Sequence, residues 1–293
     1  MQSKFTIFHP LVNLIYFACV IILSMFFMHP VFLVISLISG FIYSVILNGI
    51  KALKFNTLII LPMALISIMI NILFNHNGTT VVGYLPWSSP VTYESIIAGF
   101  ATAGVIATVI YWFSCYNLIM TNEKFIYLFG RYMPSISIML SMIFRFVPRF
   151  KSQFNKTVNA QSCMGYDINS GKPLQRLKNL TKILSVMVSW ALENSIETAD
   201  SMNGRGYNLK GKTNFTNYKF KKTDVILLII TFFTTIYIIA GILTQKIFYE
   251  FYPVVNIKTD SADIFTAFTI LCIMPIFIEI QEIIKWKYYQ SKI

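Results

Sequence analysis

The chain has 293 residues, of which 56% are hydrophobic, 16% aromatic and only 12% charged. Soluble domains carry roughly 25% charged residues, so half that share excludes an ordinary soluble domain. A formal net charge of +12 first suggests a nucleic-acid partner, but the charge is concentrated in one segment beside apolar runs, which removes that reading.

Six stretches are long and apolar enough to cross a bilayer, which takes about 20 residues per helix. They are Leu11–Met28, Val31–Leu47, Thr57–Phe74, Ile96–Met120, Val225–Leu243 and Ile264–Ile284. None contains Lys, Arg or Asp, and the acids within them are Glu279 and Glu282, near one end of the last. A charge at mid-membrane costs at least ~2.5–3.5 kcal/mol on insertion scales, so this composition predicts spanning helices. Lys4 precedes the first run, yet no small-residue cleavage site follows and a second run starts almost at once. The first run therefore reads as an uncleaved span.

Lys/Arg flanks set orientation. Lys4 precedes the first span, Lys51 and Lys54 follow the second, and Lys124 and Arg131 follow the fourth. Lys219, Lys221 and Lys222 precede the fifth, and Lys285, Lys287 and Lys292 follow the sixth. All fall on one side of an alternating path. The opposite connections are poor in base: Met28–Pro30 and Asn75–Ser95 have none, and Thr244–Asp263 balances Lys246 and Lys258 with three acids. Both termini are predicted to be cytoplasmic.

The segment from Thr121 to Lys222 holds sixteen of the 24 basic residues against five acids. Such charge fixes topology and is drawn to an anionic leaflet. The chain thus divides into four N-terminal spans over 1–120, a cytoplasmic and interfacial segment over 121–222, and two C-terminal spans over 223–293. The fold class is all-α: a polytopic membrane protein with about six transmembrane helices and two long cytoplasmic helices.

Those two helices follow from two apolar stretches, Pro134–Val147 and Ile183–Leu192, each running on into a polar helical stretch. The first ends at Gly165-Tyr166 and the second at Gly206-Tyr207. Glycine just past a helix is the common left-handed cap, because it lacks a Cβ. Both helices are expected to seat their N-terminal ends at the membrane and carry polar tips into the cytoplasm. Aligned on the glycines, the tips place small residues three apart, Ala160 with Cys163 and Ser201 with Gly204, hence on one helical face. A long side chain follows, Met164 or Arg205, and then Gly165 or Gly206. A small-residue face lets another backbone approach closely.

With these tips the chain resembles the transmembrane T component of energy-coupling factor (ECF) transporters, prokaryotic importers of vitamins and of cobalt or nickel ions. Arg145-Phe146-Val147-Pro148 is similar to that family's Arg-Phe-Ile-Pro stretch, and Ala199 to Tyr207 is similar to its second Ala-Arg-Gly signature. The opening His9-Pro10-Leu11-Val12-Asn13-Leu14 is loosely similar to its start. Two departures stand out: Met164 replaces the first arginine, and Gly204 replaces the second alanine. The resemblance implies a non-catalytic coupling subunit in the prokaryotic plasma membrane. Its partners would be two ABC-type ATPase subunits and a small membrane-embedded, substrate-binding S component, with no nucleic acid. ATP and Mg would bind the ATPases, and no cofactor or metal this chain. Ala160, Cys163, Met164, Gly165, Ser201, Gly204, Arg205 and Gly206 would dock the ATPases, and closure on ATP would move the helices and topple the S component. Met133, Met139, Met142 and Met187 would offer it an adaptable surface.

Catalytic readings find little support. His9, His29 and His76 sit at span ends or in an outer loop and read as interfacial. Glu193, Glu197 and Asp200 read as a charged helix surface, and Glu279 as a snorkelled interfacial acid. Four cysteines, Cys19, Cys115, Cys163 and Cys272, have no disulfide or zinc spacing. Gly204-Arg205-Gly206 and Ser170-Gly171-Lys172 lack the full phosphate-loop pattern. A secondary transporter would want charged groups at mid-membrane, and a membrane-embedded enzyme a convergent His/Asp/Glu set; these are the alternatives.

Overall fold

The computed structural model describes residues 4–84, 90–166, 168, 172–207, 218–244, 247–253, 256–259 and 262–290. The chain forms two compact units, residues 1–121 with 218–293, and residues 122–217.

The first unit contains α1 (Pro10–Phe26), α2 (Pro30–Asn48), α3 (Ile50–Phe74) and α4 (Tyr93–Ile119). It also contains α8 (Lys222–Leu243) and α9 (Ala262–Gln290), while α5 (Asn122–Tyr132), α6 (Pro134–Cys163) and α7 (Pro173–Gly204) belong to the second unit. Five of these first-unit helices are long and apolar enough to span a bilayer; α1 is apolar throughout but has 17 residues. The chain is a multi-pass membrane protein. Lys51 and Lys54 lie inside the first turns of α3, which starts seven residues before the expected span.

The two His-Pro pairs, expected to be merely interfacial, start helices. His9 Nδ1 accepts from Leu11 N–H at 3.2 Å and His29 Nδ1 from Val31 N–H at 3.3 Å. Each proline then occupies the first helical position, where a missing N–H costs nothing. His29 is buried among the rings of Phe32, Tyr249 and Phe265, and burial lowers its imidazole pKa.

Small residues bring the helices together. A Cβ on Gly99 of α4 would approach the Ile68 backbone of α3 at 3.3 Å, and one on Gly40 of α2 would meet Trp112 at 3.1 Å. In α8, Gly241 leaves room for Ile264 of α9. Without a hydrophobic drive between helices in lipid, such close approach and interhelical hydrogen bonds hold them. Trp112 Nε1–H donates to Ser36 Oγ at 3.0 Å, and the Ser24 and Ser36 hydroxyls lie 2.7 Å apart. Tyr16 donates to the Leu271 carbonyl at 2.8 Å.

The N-terminal turn Lys4–Ile7 closes this core. Phe5 is fully buried, edge-on to Tyr16 at 5.3 Å and to Phe17 at 6.0 Å. Glu279 does not snorkel: it is 5% exposed and accepts from the backbone N–H groups of Lys4 and Phe5 at 3.3 and 3.1 Å. The reason is tertiary, since two orphan amides of the distant N-terminal turn meet a carboxylate on α9. Lys4 Nζ also pairs with Glu282 at 2.7 Å.

Two connections expected to be plain loops form antiparallel hairpins: β1 (Val81–Tyr84) with β2 (Pro90–Thr92), and β3 (Ile247–Glu250) with β4 (Asn256–Thr259). Short runs of β-branched and aromatic residues favour pairing over helix there. At the start of α4, Glu94 is buried and accepts from the Thr80 hydroxyl at 2.9 Å and the Thr79 hydroxyl at 3.3 Å.

Candidate functional site: the paired helices of residues 122–217

The second unit comprises α5 (Asn122–Tyr132), α6 (Pro134–Cys163) and α7 (Pro173–Gly204). The helix α6 runs unbroken through Pro148, so apolar stretch and polar tip form one rod of 30 residues. Prolines at the first helical positions of α6 and α7 favour both starts. Among the basic residues Lys124 stands apart: it is buried on α5, and desolvation lowers its ammonium to about 8.

The two long helices are antiparallel, which corrects the expectation that both seat their N-terminal ends at the membrane. Lys182 Nζ lies 3.5 Å from the Tyr166 ring centroid, Thr157 Oγ1 donates to Met187 Sδ at 3.6 Å, and Phe150 meets Trp190 at 5.2 Å. Residue numbers rise on one helix as they fall on the other. The apolar stretch Ile183–Leu192 sits mid-helix because α7 starts at Pro173, and its Asn179, Ile183, Met187 and Asn194 are buried along one face. At 1.5 Å per residue, Gly165 lies ~12–22 Å past the crossing and Gly206 ~24–28 Å past it in the opposite sense. The two tips are therefore not brought together.

Both tips end in the same way. Tyr166 N–H donates to the Gln161 carbonyl at 2.9 Å and Gly165 N–H to that of Ser162 at 3.0 Å. Tyr207 N–H donates to Met202 at 3.1 Å and Gly206 N–H to Asn203 at 3.0 Å. These are Schellman caps, and Gly165 and Gly206 carry φ of +84° and +75°. The repeated Gly-Tyr is the residue pattern such a cap needs.

The surfaces of the tips are open. Ala160, Cys163, Ser201, Gly204 and Arg205 are exposed, and Met164 is 66% exposed. A Cβ added to Gly204 would meet nothing within 4 Å. Arg205 makes no ion pair among the described residues. The first tip has a different brace: the Lys182 ammonium over Tyr166, a cation–π contact of the kind worth ~0.5–1 kcal/mol at exposed sites.

The four methionines separate. Met133 and Met139 are exposed, Met142 lines a groove, and Met187 is buried in the crossing. Exposed Ile136, Met139, Ile143 and Val147 form an apolar stripe on α6.

Sequence reasoning passed over the groove itself. About 1080 Å³ in volume, it lies among α5, α6 and α7. Ser137, Ser141, Arg145 and Arg149 line it from α6; Asn194, Thr198, Ser201 and Arg205 line it from α7. The first set repeats every four residues, as does most of the second, which puts each set on one helix face. That periodicity was readable, but its meaning needed the antiparallel pairing.

Residues 3–215 match the cobalt transport protein family, CbiQ. Among curated proteins, the chain is 28% identical to the energy-coupling factor transporter transmembrane protein EcfT of Ruminiclostridium cellulolyticum over 115 residues, 39% of this chain and 42% of that protein. It is 33% identical to the EcfT of Lactobacillus helveticus over 92 residues, 31% and 33% of the two chains. An uncharacterized protein of Mycoplasma genitalium is 31% identical over 94 residues, 32% of this chain and 22% of its own length. The chain thus spans less than half the length of these relatives.

Proposed function

From the premise that the chain belongs to the cobalt transport protein (CbiQ) family, we propose that it is the transmembrane coupling component of an ECF-type importer. In this reading it passes ATP-driven motion from two ABC-type ATPase subunits to a membrane-embedded S component. The chain itself does no chemistry; ATP and Mg bind the ATPases. The segment 122–217 faces the cytoplasm, as do both termini.

The observation that carries the reading is the pair of identically capped tips at opposite ends of one antiparallel helix pair. Each presents an uncovered small-residue face, so each suits a separate partner groove. Separation matters mechanically: a motor that grips two distant points can rotate or shear the rods between them, whereas adjacent grips could not. Arg205 would supply a guanidinium to an acid in one ATPase, with the bidentate geometry favoured for carboxylates. Met164 would dock the other tip by packing. Met133, just before α6, and the exposed α6 stripe containing Met139 would face the S component, and Met142 and Met187 would shape the rod that carries it.

Acids that a secondary transporter could use are engaged locally: Glu279 by the N-terminal turn, Glu94 by Thr79 and Thr80, and Asp224 by the Lys221 N–H at 2.9 Å. The test is co-purification of the full chain with co-expressed ABC-type ATPase subunits. Retention of both, weakened by Arg205→Ala, is expected. Failure of any ATPase to co-purify, with uptake independent of ATP, would overturn the reading.

A further inference from the structure

We infer that the groove among α5, α6 and α7 is a binding site for the phosphate of an anionic phospholipid, with Arg145 and Arg149 as its cationic ligands. The two lie one helical turn apart on a single face, so one phosphate can reach both guanidiniums. Arg145 rests over Phe146 at 5.3 Å and Arg149 over Trp190 at 6.0 Å, contacts that orient the cations without neutralising them. Glu197 is the single carboxylate in the lining, and it makes no ion pair with Arg145, Arg149 or Arg205. The groove therefore carries uncompensated positive charge.

Two further features point to a lipid rather than a free anion. Asn194, 9% exposed, lines the groove, and its amide has no hydrogen-bond partner among the described residues. It is a neutral donor suited to a phosphate or glycerol oxygen. The same groove is lined by Ile126, Ile138, Met142 and Phe146, which suit an acyl chain and would be wasted on inorganic phosphate. A volume of about 1080 Å³ is at the upper end for small-molecule sites, enough for a headgroup with part of a chain. Two residues of chain separate the apolar helix α4 from α5, and basic pockets at the cytoplasmic side of membrane helices are known to take lipid headgroups. Arg205, proposed above to dock an ATPase, also lines this groove and adds a third guanidinium, so the charge is local rather than the diffuse attraction of the whole segment.

Trp190, beside Arg149, is a built-in reporter. The full chain is placed in phosphatidylcholine nanodiscs containing phosphatidylglycerol with brominated acyl chains, and quenching assigned to Trp190 is the signal lost in Trp190→Phe. Brominated phosphatidylglycerol should quench Trp190 more than brominated phosphatidylcholine at the same mole fraction, saturably. Arg145→Gln with Arg149→Gln should weaken this binding about 30-fold, from ~1 kcal/mol per cation near an anionic surface. Lys151→Gln with Lys156→Gln, exposed on the same helix, should change it far less. Equal quenching by the two lipids overturns the site without recourse to any variant. Equal loss in the lysine pair reduces it to net charge and also overturns it. Full displacement by glycerol phosphate alone would assign the groove to a soluble phosphate ester, and loss of ATPase association with lipid binding intact would assign it to the ATPase; either refutes the lipid assignment.

Discussion

Arg205→Ala separates docking from folding. The Arg205 side chain is exposed and makes no ion pair among the described residues, while its backbone N–H bonds to the carbonyls of Ser201 and Met202, each at 3.2 Å. Truncation leaves those bonds and the glycine cap in place, so thermal stability should change by no more than ~0.5 kcal/mol, as for surface substitutions away from special features. Partner binding should respond differently. Removing one half of a desolvated, hydrogen-bonded charge pair costs ~2–5 kcal/mol, or roughly 30-fold to several thousand-fold in affinity. The assay is the dissociation constant of purified ATPase for the detergent-solubilised chain, with the unfolding midpoint measured on the same sample. Arg205→Lys should recover only part, because a lysine cannot present the planar fork. Met164→Arg should tighten binding if the other ATPase groove also offers an acid. A correctly folded Arg205→Ala with unchanged affinity would refute the reasoning, since Arg205 is the one basic residue between Lys182 and Tyr207.

The remaining predictions concern stability and pH. Gly206→Ala forces a Cβ into φ of +75° and should destabilise the second tip by ~1–2 kcal/mol, whereas Gly204→Ala meets open space and should stabilise it by up to ~1 kcal/mol; hydrogen exchange of the α7 C-terminal amides distinguishes them. Glu279→Ala strands the amides of Lys4 and Phe5 and should cost ~1–3 kcal/mol for each group left unsatisfied, read as a lower unfolding midpoint through labelling of the buried thiols Cys115 and Cys272. For His29, the folded-state pKa lies below the unfolded value, so the unfolded state binds more protons between the two. Stability is therefore full above about 6.5 and falls as the pH drops through that window toward the lowered folded value. His29→Asn keeps a capping side chain without a titrating ring, and its unfolding midpoint should lose this acid dependence.

Much was legible because it is local. A spanning helix is written in about 20 consecutive apolar residues, and the caps at Gly165 and Gly206 use bonds between residues no more than five apart. The Gly-Tyr repeat therefore announced both ends before any tertiary contact was known. Where a side chain goes, by contrast, depended on partners far along the chain. Met187 reads as one more exposed methionine until Thr157 meets it across the crossing, and Glu279 reads as a snorkelled acid until the N-terminal turn arrives beneath it.

The groove is the clearest case of this division. Arg145 and Arg149 look like two of sixteen basic residues that set topology, and spacing alone places them on one face of a rod. The sequence by itself determined the rods, their caps and the membrane spans, since these rest on bonds and hydropathy within a single segment. Only the tertiary structure decided that the rods run antiparallel, sending the tips apart and setting the arginines opposite Asn194 and Ser201. Helix pairing depends on how two surfaces some 40 residues apart interdigitate, and no local pattern encodes that choice.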